Sequence, residues 1–300
     1  MAFREITAAE NNAPEVSRPE THVPEAAETP RKSELQAFRN TETPSEVTAS
    51  GQELAEAAHE QTKSHMLEAY GGVMSETHRA ELESSETLNR LTVMSDEDYE
   101  DAFPDVDHNV LGHCDHEGNI YMKGSSEAKI SHISTHETMH VCADREAIIF
   151  PDGHETITGG LHEIEVAPDG TIVRDSSRGI NEGTTELYTL RELNSRGETE
   201  AANSVNAYSE SRMWAQRLET LVGGERLEGA YFGGDRETLK QEFIRLNDGD
   251  TEAWERFSRN VDTVEYSGNA LEVERAQREL ANQYISILLN RDVIGREVEA

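Results

Sequence analysis

Cysteine is nearly absent: Cys114 and Cys142 are the only two in 300 residues. Two cysteines cannot build a disulfide framework, so they form one bridge or stand as two free thiols. Basic residues are scarce as well. The 27 Lys and Arg face 60 Asp and Glu, a formal net charge of −33. No basic stripe occurs, which excludes a nucleic-acid partner. No apolar run approaches the roughly 20 residues that a membrane span needs. Met1 to Ala9 lack an apolar stretch behind a basic start, so no cleavable secretion signal is expected. The cytosol is therefore the default location, with export by a signal-independent route left open. Apolar residues make up only 35% of the chain, with mean hydropathy −0.71, so part of it is expected to lie outside any packed core.

That part is the N-terminus. Residues 1 to about 48 are rich in Glu, Pro, Thr, Ala and Ser and nearly devoid of large apolar side chains. Such a segment cannot bury enough surface to offset its ordering entropy, and it reads as a disordered acidic tail, either a spacer or a recognition tail. The ordered domain is expected over 49–300, with Ser50 capping a helix that ends at Gly71-Gly72. A strand is expected over Leu88 to Met94, then a helix start at Ser95-Asp96-Glu97-Asp98. A hairpin follows, with arms at Val110-Leu111 and Ile120-Tyr121-Met122. Ser126 to about Asp144 reads as a buried helix, since Ile130, Ile133, Met139 and Val141 place apolar groups on more than one side. A second hairpin opens at Gly159-Gly160 and turns at Pro168-Asp169-Gly170. A further helix starts near Asn181. The remainder is expected to be mostly helical, over 204–221, 236–246, 251–259 and 270–289, with glycine-rich separators.

The third of these helices contains His136-Glu137-Thr138-Met139-His140. Residues four apart lie on one face of a helix, so both imidazoles can reach one ion. Neutral imidazole suits zinc, and a catalytic zinc site keeps a position open for water. Glu137 borders the same face and can move a proton from that water to a leaving amine. A third protein ligand is required. The run after His140 lacks the Gly and third His of a metzincin, and the best candidate is Glu182, with 41 residues between it and His140. His154 and His162 are the rivals.

With Asn181-Glu182-Gly183 following His-Glu-x-x-His, the sequence resembles the gluzincin metallopeptidases, over about Leu88 to Leu193. The resemblance implies Glu182 as third ligand from a second helix. It implies Glu186, one turn later, as an outer carboxylate that accepts the other ring N–H of a ligand histidine, with His136 the natural partner. It also implies an α+β, zincin-like fold: a small twisted mixed sheet packed on the metal helix (49–195) and a mostly helical C-terminal part (196–300). The interval from His140 to Glu182 is longer than in the aminopeptidases of that clan.

Tyr208 is a candidate oxyanion donor; Tyr188 is a candidate too, with a buried aromatic the plainer reading. His108, His113, Cys114, Asp115 and His116 form a second ligand-rich cluster whose spacing fits no structural zinc pattern. His132 lies one turn before His136 and either borders the site or packs. Asn247-Asp248-Gly249-Asp250 lacks the closing glutamate of a calcium loop and reads as a turn. The expected activity is hydrolysis of a protein or peptide substrate with one Zn2+ ion. Two alternatives stand beside it: an exported effector or toxin peptidase with a single protein target, and a zinc-binding interaction protein without catalysis.

Overall fold

The computed structural model describes residues 46–84, 91–104, 106, 109–115 and 118–298. The acidic tail over 1–45, and His108 and His116, lie outside them. The described residues form an α+β structure of eleven helices and two small sheets.

Helix α1 spans Glu46–Tyr70. It starts before Ser50, which is therefore an internal residue and not the cap, and Glu46–Thr48 belong to the helix rather than to the tail. Packing explains the difference: a Cβ on Gly51 would sit 3.1 Å from Ile130 Cδ1, so close helix approach carries the helix through this glycine. Helix α2 (Glu76–Glu83) is capped by Ser75, whose hydroxyl accepts the His78 N–H. Strand β1 is Leu91–Met94, helix α3 is Asp96–Ala102, and the hairpin strands are β2 (Gly112–Cys114) and β3 (Ile120–Lys123). The sheet order is β1-β3-β2, with β1 parallel and β2 antiparallel to β3. Crossing from β1 to a parallel neighbour requires an intervening connection, and α3 lies in it.

Helix α4, Glu127–Cys142, is buried nearly all round. That explains why its apolar residues occupy several faces: α1 covers one side, the three-stranded sheet another and α5 a third. Ser134 donates to the Ala55 carbonyl at 2.7 Å, which satisfies a hydroxyl facing α1. A four-stranded antiparallel meander follows: β4 (Arg145–Ile149), β5 (Glu155–Gly159), β6 (His162–Val166) and β7 (Ile172–Ser176). The sequence reading found its last hairpin, β6–β7, and missed β4 and β5; Gly159-Gly160 lies at the turn between β5 and β6.

Helix α5 (Arg178–Ser195) is followed by α6 (Thr199–Ala202), α7 (Ser209–Val222), α8 (Gly224–Gly233), α9 (Arg236–Leu246), α10 (Ala253–Tyr266) and α11 (Ala270–Val298). Helix α8 fills what was read as a separator between two Gly-Gly pairs, because Leu227, Ala230, Tyr231 and Phe232 are buried. One continuous core runs from Ala55 through Ile133, Met139 and Trp214 to Phe257 and Leu280. Each such large apolar side chain contributes about 1.5–3 kcal/mol on burial, so the core welds the sheet-bearing and helical parts together. No helix among the described residues is long and apolar enough to cross a membrane.

Candidate metal centre

Helices α4 and α5 meet side by side. From α4 come His132, His136 and His140, one turn apart; from α5 come Glu182 and Glu186, also one turn apart. His136 Nε2 and His140 Nε2 converge on one atom, Glu182 Oε2, at 3.4 and 3.2 Å. The three side chains can present one ligand atom each within 4.8 Å of one another. Two imidazoles and a carboxylate are a donor set that suits a divalent cation of the zinc type.

Each imidazole presents Nε2 to Glu182 and has its Nδ1 engaged from behind. His136 Nδ1 donates to Glu186 Oε2 at 3.1 Å. His140 Nδ1 faces Thr185 Oγ1 at 3.4 Å. Thr185 in turn donates to the Asn181 carbonyl at 3.0 Å and is bonded to the Tyr231 hydroxyl at 2.7 Å. If Tyr231 is the donor, Thr185 gives one bond and accepts two, its full capacity. Glu186 and Glu182 divide by depth: their side chains are 1% and 15% exposed. The outer position of Glu186 keeps it on the ring nitrogens, while Glu182 stays partly exposed.

His132 also joins this network. Its Nδ1 lies 3.0 Å from the Ala201 carbonyl and its Nε2 3.3 Å from Glu186 Oε2. It is a buried tie between α4, α5 and α6, and not a ligand.

Charge follows from the same contacts. Burial works against a charged His136, yet its hydrogen bonds to Glu182 and Glu186 outweigh it and push its pKa up to about 10. Burial also opposes ionised Glu182, but His140 and His136 hold it well below the usual carboxylate range. Glu137 is raised, chiefly by burial, against the pull of both imidazoles.

Glu137 also reaches strand β2, where it accepts the Cys114 backbone N–H. Strand β2 is an edge among the described residues. Lys123 N–H donates to the Leu111 carbonyl and Asp115 N–H to the Asn119 carbonyl, at 2.8 and 2.9 Å. By the alternation of an antiparallel ladder, Gly112 and Cys114 direct their backbone groups away from β3 to the free edge. Gly112 lets the strand lie this close to α4, since a Cβ there would meet Ile133 Cγ2 at 2.7 Å.

Tyr208 is the residue just before α7, with φ +52, a conformation uncommon for a bulky side chain. Its ring stacks on His136 with centroids 5.6 Å apart and planes at 15°. Gly183 makes this possible. A Cβ on Gly183 would fall 2.3 Å from backbone atoms of Ser211, so only glycine lets the start of α7 press against α5. Glu182, and then burial, raise the Tyr208 hydroxyl pKa, which keeps it a donor.

No protein-family model, curated protein or solved structure matches this chain significantly.

Of the other candidates, His154 pairs with Asp152 and His162 with Asp175, both away from the histidine pair. Tyr188 is a core aromatic, packed on Tyr70 and Phe232. His113 faces the opposite side of its sheet and bonds the Tyr99 hydroxyl at 2.6 Å. Cys114 and Cys142 are free thiols. Asp248 and Gly249 form the turn between α9 and α10, both with positive φ. Sequence reasoning missed Thr185, Tyr231 and the β2 edge. Thr185 had a signal, three residues after Glu182 and so on its helix face. Asn181 had one too: its side-chain oxygen accepts the Leu161 N–H at 2.9 Å and pins the β5–β6 turn to α5.

Proposed function

We propose that this chain is a zinc-dependent peptidase of the gluzincin type, with a zincin-like arrangement of sheet, metal helix and glutamate helix. His136, His140 and Glu182 would hold the metal. The observation that carries the reading is the convergence of both Nε2 atoms on Glu182 Oε2, with both Nδ1 atoms engaged by acceptors on α5. A histidine pair with no metal role has no need of matched tautomers and a common carboxylate.

When bound, zinc supplies a Lewis acid that acidifies water and polarises the scissile carbonyl. The protein's own groups account for the rest. Glu137, buried and beside the imidazoles, accepts the proton of the attacking water and passes it to the departing nitrogen. Its raised pKa favours that return of the proton. The Tyr208 hydroxyl donates to the oxyanion as charge develops there. The substrate main chain lies along the free edge of β2 as an added strand, using the outward backbone groups of Gly112 and the carbonyl of Cys114, whose N–H is held by Glu137.

The test is Glu137→Gln in the zinc-loaded protein, with a broad peptide library as substrate. Glutamine keeps the shape and loses the base, so hydrolysis is expected to fall by at least 10²-fold while zinc content stays at wild-type level. Retained hydrolysis refutes the role of Glu137, and the absence of any cleavage by the wild-type protein refutes the activity.

A further inference from the structure

Arg178 stands one helical turn before Glu182, on the same face of α5. It is exposed, and its guanidinium carbon lies 4.9 Å from the ring centroid of Tyr266, itself 43% exposed. The charge of Arg178 acts on Tyr266, Glu182, Tyr208 and Asp175, so these side chains lie near it. In a chain with 60 acidic residues, Arg174, Arg191, Arg196 and Arg236 each hold a carboxylate. Arg178, among the described residues, holds none within ion-pair distance.

The acids nearest to Arg178 are engaged elsewhere. Asp262 accepts the Gly179 N–H at 2.6 Å, and Asp175 is bonded to His162 at 2.6 Å. Glu265 accepts from the Ser211 hydroxyl at 2.7 Å. Glu182 is bound to the two imidazoles. An exposed guanidinium thus remains one helical turn from Glu182, over an aromatic ring, at the positive end of the α5 dipole. A planar guanidinium fixed in this way is suited to two parallel hydrogen bonds with a carboxylate.

We propose that Arg178 and Tyr266 form a carboxylate-binding subsite beside the metal ligands, so that the substrate carries a carboxylate next to the bond to be cleaved. The carboxylate is either an acidic side chain or the free C-terminus of the substrate. This inference rests on the metal centre and cleft described under the proposed function.

The probes are two pairs of peptide hydroxamates, in which the hydroxamate engages the metal. One pair has Glu or Gln beside the hydroxamate and an amidated C-terminus. The other has a single neutral residue there with a free or an amidated C-terminus. Binding to the zinc-loaded full chain is measured by calorimetry. The carboxylate member of one pair is expected to bind about tenfold tighter, as one charge-assisted pair allows, and the pair showing the preference identifies the source. Arg178→Gln should abolish the preference and leave the neutral probe within about twofold of wild type. Arg178→Lys should keep part of it. Equal affinity within both pairs, or a preference that survives Arg178→Gln, overturns the subsite and leaves the metal centre standing. Failure of every hydroxamate to bind overturns the metal centre and the subsite together. A preference abolished by Arg178→Gln in a protein that cleaves no peptide upholds the subsite and removes the peptidase reading.

Discussion

Replacing Glu186 with Gln isolates what the outer carboxylate does. Glu186 Oε2 lies 3.1 Å from His136 Nδ1 and 3.3 Å from His132 Nε2, and its side chain is 1% exposed. Glutamine keeps the volume, so packing is preserved. It presents one neutral carbonyl in place of a shared anionic oxygen, and its amide N–H groups cannot accept. His136 then donates to a weaker acceptor, or to none if the amide turns towards His132. A hydrogen bond to a charged group is worth about 1.5–3 kcal/mol and a neutral one about 1 kcal/mol. The loss is therefore roughly 1–2 kcal/mol in holding the ring as a metal ligand, at the low end of the 10–100-fold range found when such supports are removed. Competition with a chromogenic chelator at neutral pH measures it directly. Zinc affinity should fall about tenfold or somewhat more, with far-UV circular dichroism unchanged. Wild-type affinity in a folded Glu186→Gln protein would show that the carboxylate does not support the metal ligand, and the site argument would lose its second layer.

Three further outcomes follow from the same contacts. Gly183→Ala places a methyl 2.3 Å from Ser211 backbone atoms, so it should lower stability by about 1–3 kcal/mol in urea titration and displace Tyr208 from His136; peptide turnover should fall more than zinc affinity. In the metal-free protein His136, pushed up to about 10, is protonated at neutral pH, and zinc must displace that proton. Apparent zinc affinity should therefore rise about tenfold per unit between roughly pH 6 and 8, and calorimetry in buffers of different ionisation enthalpy should show about one proton released. The stabilisation that the carboxylates confer through protonated His136 is complete below its ordinary pKa of 6.5 and is lost as pH rises through about 10, in the metal-free form only. Arg196 spans Thr62 and Thr135 at 2.9 Å each and lies 3.4 Å from Glu192, which is 2% exposed. Arg196→Met should cost about 3–5 kcal/mol of unfolding free energy, since a buried carboxylate loses its permanent cation and keeps only His65. A loss under 1 kcal/mol would contradict that reading.

Local periodicity made the histidine pair and the glutamate pair legible. His136 with His140, and Glu182 with Glu186, are each four apart, and a helix places such residues on one face whatever surrounds it. The buried character of α4 was readable for the same reason, from Ile130, Ile133 and Met139 on several sides. Ser50 misled because capping chemistry is local while the start of α1 depends on its packing against Ile130. Helix α8 and the β4–β5 hairpin were missed where glycine pairs and an exposed strand hid the elements that neighbours hold in place.

From the sequence alone came the spacing of His136 with His140 and of Glu182 with Glu186, because helical geometry is a property of a single segment. Tertiary structure decided what those side chains meet: Tyr208 over His136 by way of Gly183, the Cys114 N–H against Glu137, and Thr185 with Tyr231 behind His140. These partners lie on different helices and strands, and only the burial of a common core brings them together.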